Sequence, residues 1–266
     1  MGPTLSPNLQ RLLEMSERLP TKPRSLPASN NNDPIVVSYT TLERSYYFSE
    51  TRCIKIQNHP DDIGSCSSNI RFARERLLNE AASLQYLAQY SNIPVPKLRD
   101  IGDNERGMLQ LETELLPNNA ITLSMVAPPY RRKEAIQNVN DQMMSHILPH
   151  LSNLRSTAIG SVDPSLPVIP PARLLSSRGP GEEWPRGIKG DYGFVHGDLS
   201  DENIFVDQTS FEIVGIIDWE YAGFFPTAFE VPIWKTPDRQ VRHGILMGAM
   251  REELIFFNGR GKIGNC

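Results

Sequence analysis

Asp198, Asn203 and Asp218 are the residues whose types and spacing first suggest chemistry. The stretch "FVHGDLSDENIFVD", residues 194–207, crowds His196, Asp198, Asp201, Glu202 and Asn203 between two apolar runs. Charged groups enter a low-dielectric region only when something compensates them. A metal ion, a phosphate site or a turn would each do so. "IFVD" and "FEIVGIID" read as two apolar strands joined by "QTS", with Asn203 entering the first and Asp218 ending the second. In an antiparallel hairpin the start of one strand lies beside the end of the other. An amide oxygen and a carboxylate therefore converge, and such an oxygen-rich site suits Mg²⁺. Asp198 stands next to it, free to accept a proton from an attacking hydroxyl. Asp201 and Glu202 read as solvent-facing acids or turn caps.

Other elements must position this loop. "PIVVSYT", "SYYF" and "TRCIKIQ" are rich in β-branched and aromatic residues and read as strands. In the last, Ile54 and Ile56 share one face while Cys53, Lys55 and Gln57 share the other. Taken alone, Lys55 reads as one residue of an exposed strand face. Residues 70–90 carry the strongest helical pattern, with Leu77, Ala81, Leu84 and Ala88 in a stripe that Leu78 and Leu87 widen. Glu80 lies beside that stripe. Pro94 and Pro96 end the helix. "KLRDIGDNERGMLQLETELLP" reads as two strands about a turn at residues 102–107. Residues 130–154 read as a helix interrupted at Pro149; His146 and His150 lie on it without a glutamate base between them, which argues against a zinc site. Residues 239–257 read as a helix with Val241, Ile245, Met247 and Leu254 toward the core.

The N-terminal 33 residues read as a short helix, with Ser6 as N-cap and Leu9, Leu12 and Leu13 on one face, followed by a flexible proline- and asparagine-rich linker. Residues 160–190 carry six prolines and five glycines, the signature of a functional loop or a disordered insert. Three domains or subdomains follow: residues 1–33, an N-terminal lobe at 34–116 and a C-terminal lobe at 117–266.

Composition excludes several classes. The 266 residues suffice for a two-lobed unit with a sizeable core. The net charge of −4 argues against a nucleic-acid partner. Three scattered cysteines, Cys53, Cys66 and Cys266, make neither a disulfide framework nor a zinc ribbon. No leader-like segment or membrane span is visible, so a cytoplasmic, reduced protein without a membrane or protein partner is expected.

"HGDLSDEN", followed fifteen residues after its asparagine by "IIDWE", resembles the catalytic core of the aminoglycoside phosphotransferase family. That family includes choline-kinase-like enzymes and belongs to the protein-kinase-like superfamily. Protein kinases carry H-R-D-x-x-x-x-N and D-F-G; here Gly197 replaces the arginine and Asp218-Trp219-Glu220 stands at the second motif, both favouring a small-molecule kinase. "WEYAGFFP" resembles the fungal-type branch. The resemblance covers residues 35–235 and implies an α+β, two-lobed kinase-like fold. Its N-terminal lobe would be an antiparallel sheet with one helix, and its C-terminal lobe mainly helical with a catalytic-loop hairpin. It implies ATP or another nucleoside triphosphate with Mg²⁺, and a small hydroxylated acceptor. Asp198 would be the catalytic base, braced by His196, and Asn203 and Asp218 would hold the metal. "CIKI" would supply the phosphate lysine, Lys55, and Glu80 would pair with it. The segment from Glu112 through Thr113 to Leu115 would contact adenine.

Two departures stand out. "YTTLERSYYF", where kinases cover the phosphates with a glycine-rich loop, has no glycine, and 48 residues follow Asp218. A catalytically inactive, kinase-like nucleotide- or metabolite-binding protein is therefore the alternative. "GDLSD" also fits a two-metal phosphoesterase, but the Asp-x-His and Asn-His ligands that chemistry needs are missing. For the acceptor, Glu182, Glu183, Glu220, Glu252 and Glu253 would suit a cationic aminoglycoside, and Trp184, Trp219, Tyr221 and Trp234 a choline-type cage.

Overall fold

Side-chain alternation decides what the first sheet presents to the rest of the molecule. In the computed structural model, which describes residues 9–10, 12–13, 33–63, 71–179 and 181–260, five antiparallel strands form it. These are β1 (Val37–Thr40), β2 (Arg44–Phe48), β3 (Arg52–Gln57), β4 (Leu98–Asp103) and β5 (Leu109–Glu114), in the order β1-β2-β3-β5-β4. Tyr47 and Ile54 are cross-strand partners and pack together with Ile56 on one face. Tyr46, Lys55 and Leu111 are partners on the other face. A single turn, α1 (Pro60–Ile63), follows β3.

The long helix α2 (Ala73–Tyr90) covers the Lys55 face, with Leu77 and Ala81 packed on Leu109 and Leu111. The stripe expected from the sequence holds at Leu77, Ala81, Leu84 and Leu87, but Ala88 is exposed. The buried side is wider and more polar than the periodicity predicts, since Arg76, Asn79, Glu80 and Ser83 lie on it. Such groups are buried only against partners, and those partners belong to the candidate site.

The remainder holds two three-stranded sheets, in the orders β10-β9-β6 and β11-β8-β7. Their strands are β6 (Ala120–Thr122), β7 (Arg155–Ala158), β8 (Lys189–Val195), β9 (Ile204–Asp207), β10 (Ile213–Ile216) and β11 (Gly223–Phe225). Helix α3 (Pro129–Gln142) runs through a π turn, Met143–Ile147, into α4 (Leu148–Asn153). The interruption is that wider turn; Pro149 is tolerated because it sits in the first turn of α4, where an amide hydrogen has no helical partner. Phe194, Trp219, Phe225, Trp234 and Phe257 are fully buried at the centre of the main core. The α+β architecture with an antiparallel N-terminal sheet, one long covering helix and a catalytic-loop hairpin is the one expected.

Three expectations change. Residues 160–190 have little regular structure yet are not a loose insert: Val168, Leu174, Trp184 and Ile188 are buried in the main core, and Leu166 and Ile169 are buried as well. Prolines here shape an irregular core layer. On α5 (Arg239–Arg260), Val241, Ile245 and Met247 are exposed and Leu254 is half-buried, while Glu253 and Phe257 point inward. Apolar periodicity does not say whether a helix face meets a neighbour. Trp184, Trp219 and Trp234 are core residues, so no choline-type cage converges from them. His146 and His150 are exposed, and the His150 ring bonds the His146 carbonyl at 2.7 Å. Leu9 of the N-terminal segment is buried against Val37 and Phe48; the linker expected after it lies outside the described residues. No described helix is long and apolar enough to cross a membrane.

Candidate active site

The catalytic-type loop leaves the end of β8 at His196 and enters β9 after Asn203. Its shape is fixed by short-range bonds. The Ser200 N–H donates to the Asp198 carbonyl at 3.0 Å, and the Asn203 N–H to the Ser200 carbonyl at 3.2 Å. The Asn203 side-chain amide also donates to the Asp198 carbonyl, at 2.8 Å. That bond occupies the amide nitrogen and leaves the amide oxygen as the atom available to a cation. Across the hairpin, the Ile217 N–H donates to the Asn203 carbonyl at 3.0 Å, which brings Asp218 alongside. Asp218 itself sits in the left-handed region, with φ 61°, a conformation rare for a residue with a side chain.

His196 braces the loop from within. Its Nε2 lies 2.8 Å from the Ile217 carbonyl, and its Nδ1 receives the Asp198 N–H at 3.2 Å. One ring nitrogen donates and the other accepts, which is the neutral imidazole. Burial pulls its pKa down to about 4, consistent with that form. Gly197 follows with φ +83°, and a Cβ there would lie 2.7 Å from the Tyr221 carbonyl oxygen. The glycine in place of the protein-kinase arginine thus has a local cause: the turn needs positive φ and the next segment passes too close for a side chain. Arg173, from the proline-rich stretch, holds Glu253 and reaches the Gly197 carbonyl at 3.4 Å.

Glu230, which the sequence reading passed over, accepts the His196 N–H. Burial pushes its pKa up to about 7, against the pull of the His196 N–H, Arg173 and the Gly197 N–H. Unfolding returns it to its ordinary value of 4.5. Between those values the folded state holds the extra proton, so this residue makes stability fall as pH rises through the window. Glu230→Gln should therefore make the stability–pH slope between about pH 5 and 6.5 more positive by about 1.4 kcal/mol per pH unit. Denaturant melts of both proteins across that range measure it; an unchanged slope contradicts the assignment.

Lys55 is buried and donates to Glu80 Oε1 at 2.7 Å and to Asp218. The exposed-face reading of Lys55 is thereby corrected: its face of the sheet is the one α2 covers. Burial works against the ammonium, but Asp218 and Glu80 outweigh it and hold the pKa well above the ordinary lysine value. Reciprocally, Lys55 holds Asp218 below the usual carboxylate range despite burial. Lys55, Glu80, Asn203 and Asp218 all line one cavity of about 310 Å³, together with Tyr39, Tyr46, Thr113, Leu115 and Leu116. Glu112 does not reach it: as the partner of Ile54 it lies on the opposite face of the sheet, 3.1 Å from Arg52. Glu114 lines the cavity in its stead.

Asp198 is not among the lining residues but lies close enough for Asp218 and Glu220 to act on it. Burial first, then those two carboxylates, push its pKa up to about 7. Asp201 is no solvated acid. It is buried between Arg132, at 2.7 Å, and Arg242, at 2.6 Å, and so ties α3 and α5 to the loop. Glu202 is exposed, as expected. Among the described residues no cluster of three or more His, Cys, Asp or Glu is arranged for a metal. One amide oxygen and one carboxylate remain a fitting donor pair for Mg²⁺, which takes few protein ligands and completes its shell with phosphate and water.

Residues 141–234 match the model of the phosphotransferase enzyme family. That segment contains His196, Asp198, Asn203 and Asp218; Lys55 and Glu80 lie outside it. No curated protein matches the chain. Solved structures align over most of it. An aminoglycoside-3'-phosphotransferase of type VIII is 17% identical, covering 98% of this chain and 93% of its own, with a TM-score of 0.44. A thermostable mutant of aminoglycoside phosphotransferase APH(4)-Ia, in a ternary complex with AMP-PNP and hygromycin B, is 12% identical, covering 96% and 88%, with a TM-score of 0.44.

Proposed function

We propose that this chain is a phosphotransferase that moves the γ-phosphate of a nucleoside triphosphate, ATP, to a hydroxyl of a small molecule. One observation carries the reading: a buried lysine held by a helix glutamate and a hairpin-end aspartate opens onto the same cavity as Asn203 and the end of β5. The family match at residues 141–234 supports it from the sequence side. "WEYAGFFP" is the basis for proposing the fungal-type branch.

The residues divide the work. Lys55 binds the nucleotide phosphates, and Glu80 keeps its ammonium directed at them. Thr113 and Leu115 meet the base. Asn203 and Asp218 would hold Mg²⁺, which would supply positive charge against the phosphates. Asp198 orients the acceptor hydroxyl and takes its proton as the oxygen attacks phosphorus; the bond to the nucleotide's bridging oxygen breaks and the diphosphate leaves. Phosphoryl transfer asks for little more than such positioning and charge. His196 keeps Asp198 in place through the backbone. The half-buried free thiol of Cys53 fits a reducing, cytoplasmic setting.

A nucleotide-binding protein without turnover is the second reading, and the β1–β2 turn favours it. The N–H groups of Glu43 and Arg44 donate to the Thr41 hydroxyl, at 3.3 and 3.1 Å, and are not offered to a phosphate. A panel of hydroxylated small molecules, assayed for ADP release with Mg-ATP, separates the two. Acceptor-dependent ADP release supports phosphotransfer. Nucleotide binding without release for any acceptor supports the second reading, and absence of nucleotide binding overturns both.

A further inference from the structure

The turn between β1 and β2 has no glycine, and its shape is held by side chains. Thr41 closes it through its hydroxyl, and the Asn58 amide donates to the Thr41 carbonyl at 2.9 Å. From the turn, Arg44 pairs with Glu220 and Glu43 pairs with Arg76. Arg76 completes the link, since its Nε lies 3.1 Å from the same Glu220 oxygen that Arg44 holds. Arg44, Arg76 and Glu220 are 2%, 1% and 9% exposed, so the link is built into the interior. Asn79 adds two bonds from α2, to the carbonyls of Glu220 at 2.9 Å and Ala222 at 2.8 Å.

Glu220 thus connects three parts of the site: the β1–β2 turn, the helix that carries Glu80, and the segment that begins at Asp218. It does not line the cavity that Lys55, Asn203 and Asp218 share. Its charge is nevertheless felt at Asp198, and two guanidiniums compensate it. A glycine-rich turn can approach phosphates closely and move; this one is anchored by buried ion pairs whose partners are expensive to separate.

We infer that Glu220 is a positioning residue that straps the glycine-free turn and α2 onto the Asp218 segment, giving a fixed lid over the phosphate end of the cavity, and that it is not a metal ligand. The nucleotide arm of the test rests on the phosphotransferase reading; the strap itself does not.

The test compares Glu220→Gln, Arg44→Met and the double variant. Hydrogen exchange at the amides of residues 41–45 should accelerate about tenfold or more in each single variant, and no further in the double, because both break one unit. Affinity for Mg-AMP-PNP should fall about tenfold while affinity for adenosine stays unchanged, since the lid meets phosphates and not the base. The Mg²⁺ concentration at half-saturation should not move. Arg44→Lys, which keeps the charge, should recover part of the loss, and with Glu43→Gln at the outer edge of the link it serves where the harsher variants do not fold. A raised Mg²⁺ requirement in Glu220→Gln alone would make Glu220 a metal ligand and overturn the inference. Unaltered exchange in the turn, or equal losses for adenosine and the triphosphate analogue, would overturn it as well. If the wild type binds no nucleotide, the phosphotransferase reading fails by itself and exchange at the turn decides the strap.

Discussion

Asp198→Asn should lower turnover about a thousandfold while leaving the protein at least as stable as the wild type. The amide keeps the size of the carboxylate but has no lone pair basic enough to take a hydroxyl proton. Loss of a general base is worth roughly 10²–10⁴ in rate. The stability half follows from the pKa. Burial, Asp218 and Glu220 push Asp198 up to about 7 from its ordinary 3.8. A carboxylate with a raised folded-state pKa contributes fully at low pH, and that contribution is lost as pH rises through the folded value. Above pH 7 the wild type therefore holds a strained charge that the variant lacks, and the variant should gain up to roughly 4 kcal/mol at about pH 8. Steady-state rates and denaturant melts on the same preparations check both halves. A variant that is inactive and also less stable would point to damage to the loop, not to loss of a base.

Lys55→Met should be the most harmful single change to the N-terminal sheet. It removes the cation between Glu80 and Asp218 and leaves the buried Glu80 carboxylate beside the half-buried one of Asp218. Breaking a buried pair from one side costs about 3–5 kcal/mol, a large share of the stability of a domain this size. Glu80 is the more exposed to this loss electrostatically, because its second oxygen is already buried without a partner. The double variant Lys55→Met/Glu80→Gln should regain much of the stability, since the more deeply buried of the two uncompensated charges is gone, yet should still bind nucleoside triphosphate at least tenfold more weakly than the wild type. Melts separate the first effect and nucleotide titration the second. If the double variant bound the triphosphate as well as the wild type, Lys55 would be a structural cation and not a phosphate ligand.

Much of this arrangement was legible in the chain. Strand alternation placed Lys55 opposite Ile54 and Ile56, and the structure makes that face the one covered by α2. The hairpin brought Asn203 and Asp218 together because antiparallel geometry leaves no alternative. The periodic stripe on α2 was readable as far as Leu87. What escaped were interactions made by residues far apart in sequence. Nothing in the strand composition of "TLERSYYF" distinguishes Arg44 from a surface arginine; only the fold sets it against Glu220, 176 positions away. Asp201 looked like a solvated turn residue because its partners, Arg132 and Arg242, come from two distant helices. Glu112, expected among the adenine contacts, lies on the Ile54 face and pairs with Arg52, whereas its neighbour Thr113 lines the cavity, because successive side chains in a strand face opposite ways. On α5 the exposed Val241 and Ile245 show the limit of periodicity, which reports an apolar face but not its neighbour.

The most direct test of the account is transfer of label from γ-labelled ATP into a hydroxylated acceptor, measured for the wild type and for Asp198→Asn at equal nucleotide occupancy. The account predicts labelled acceptor with the wild type and background with the variant, although both bind nucleotide. Equal labelling by the two proteins, or bound ATP that the wild type passes to no acceptor, would contradict it.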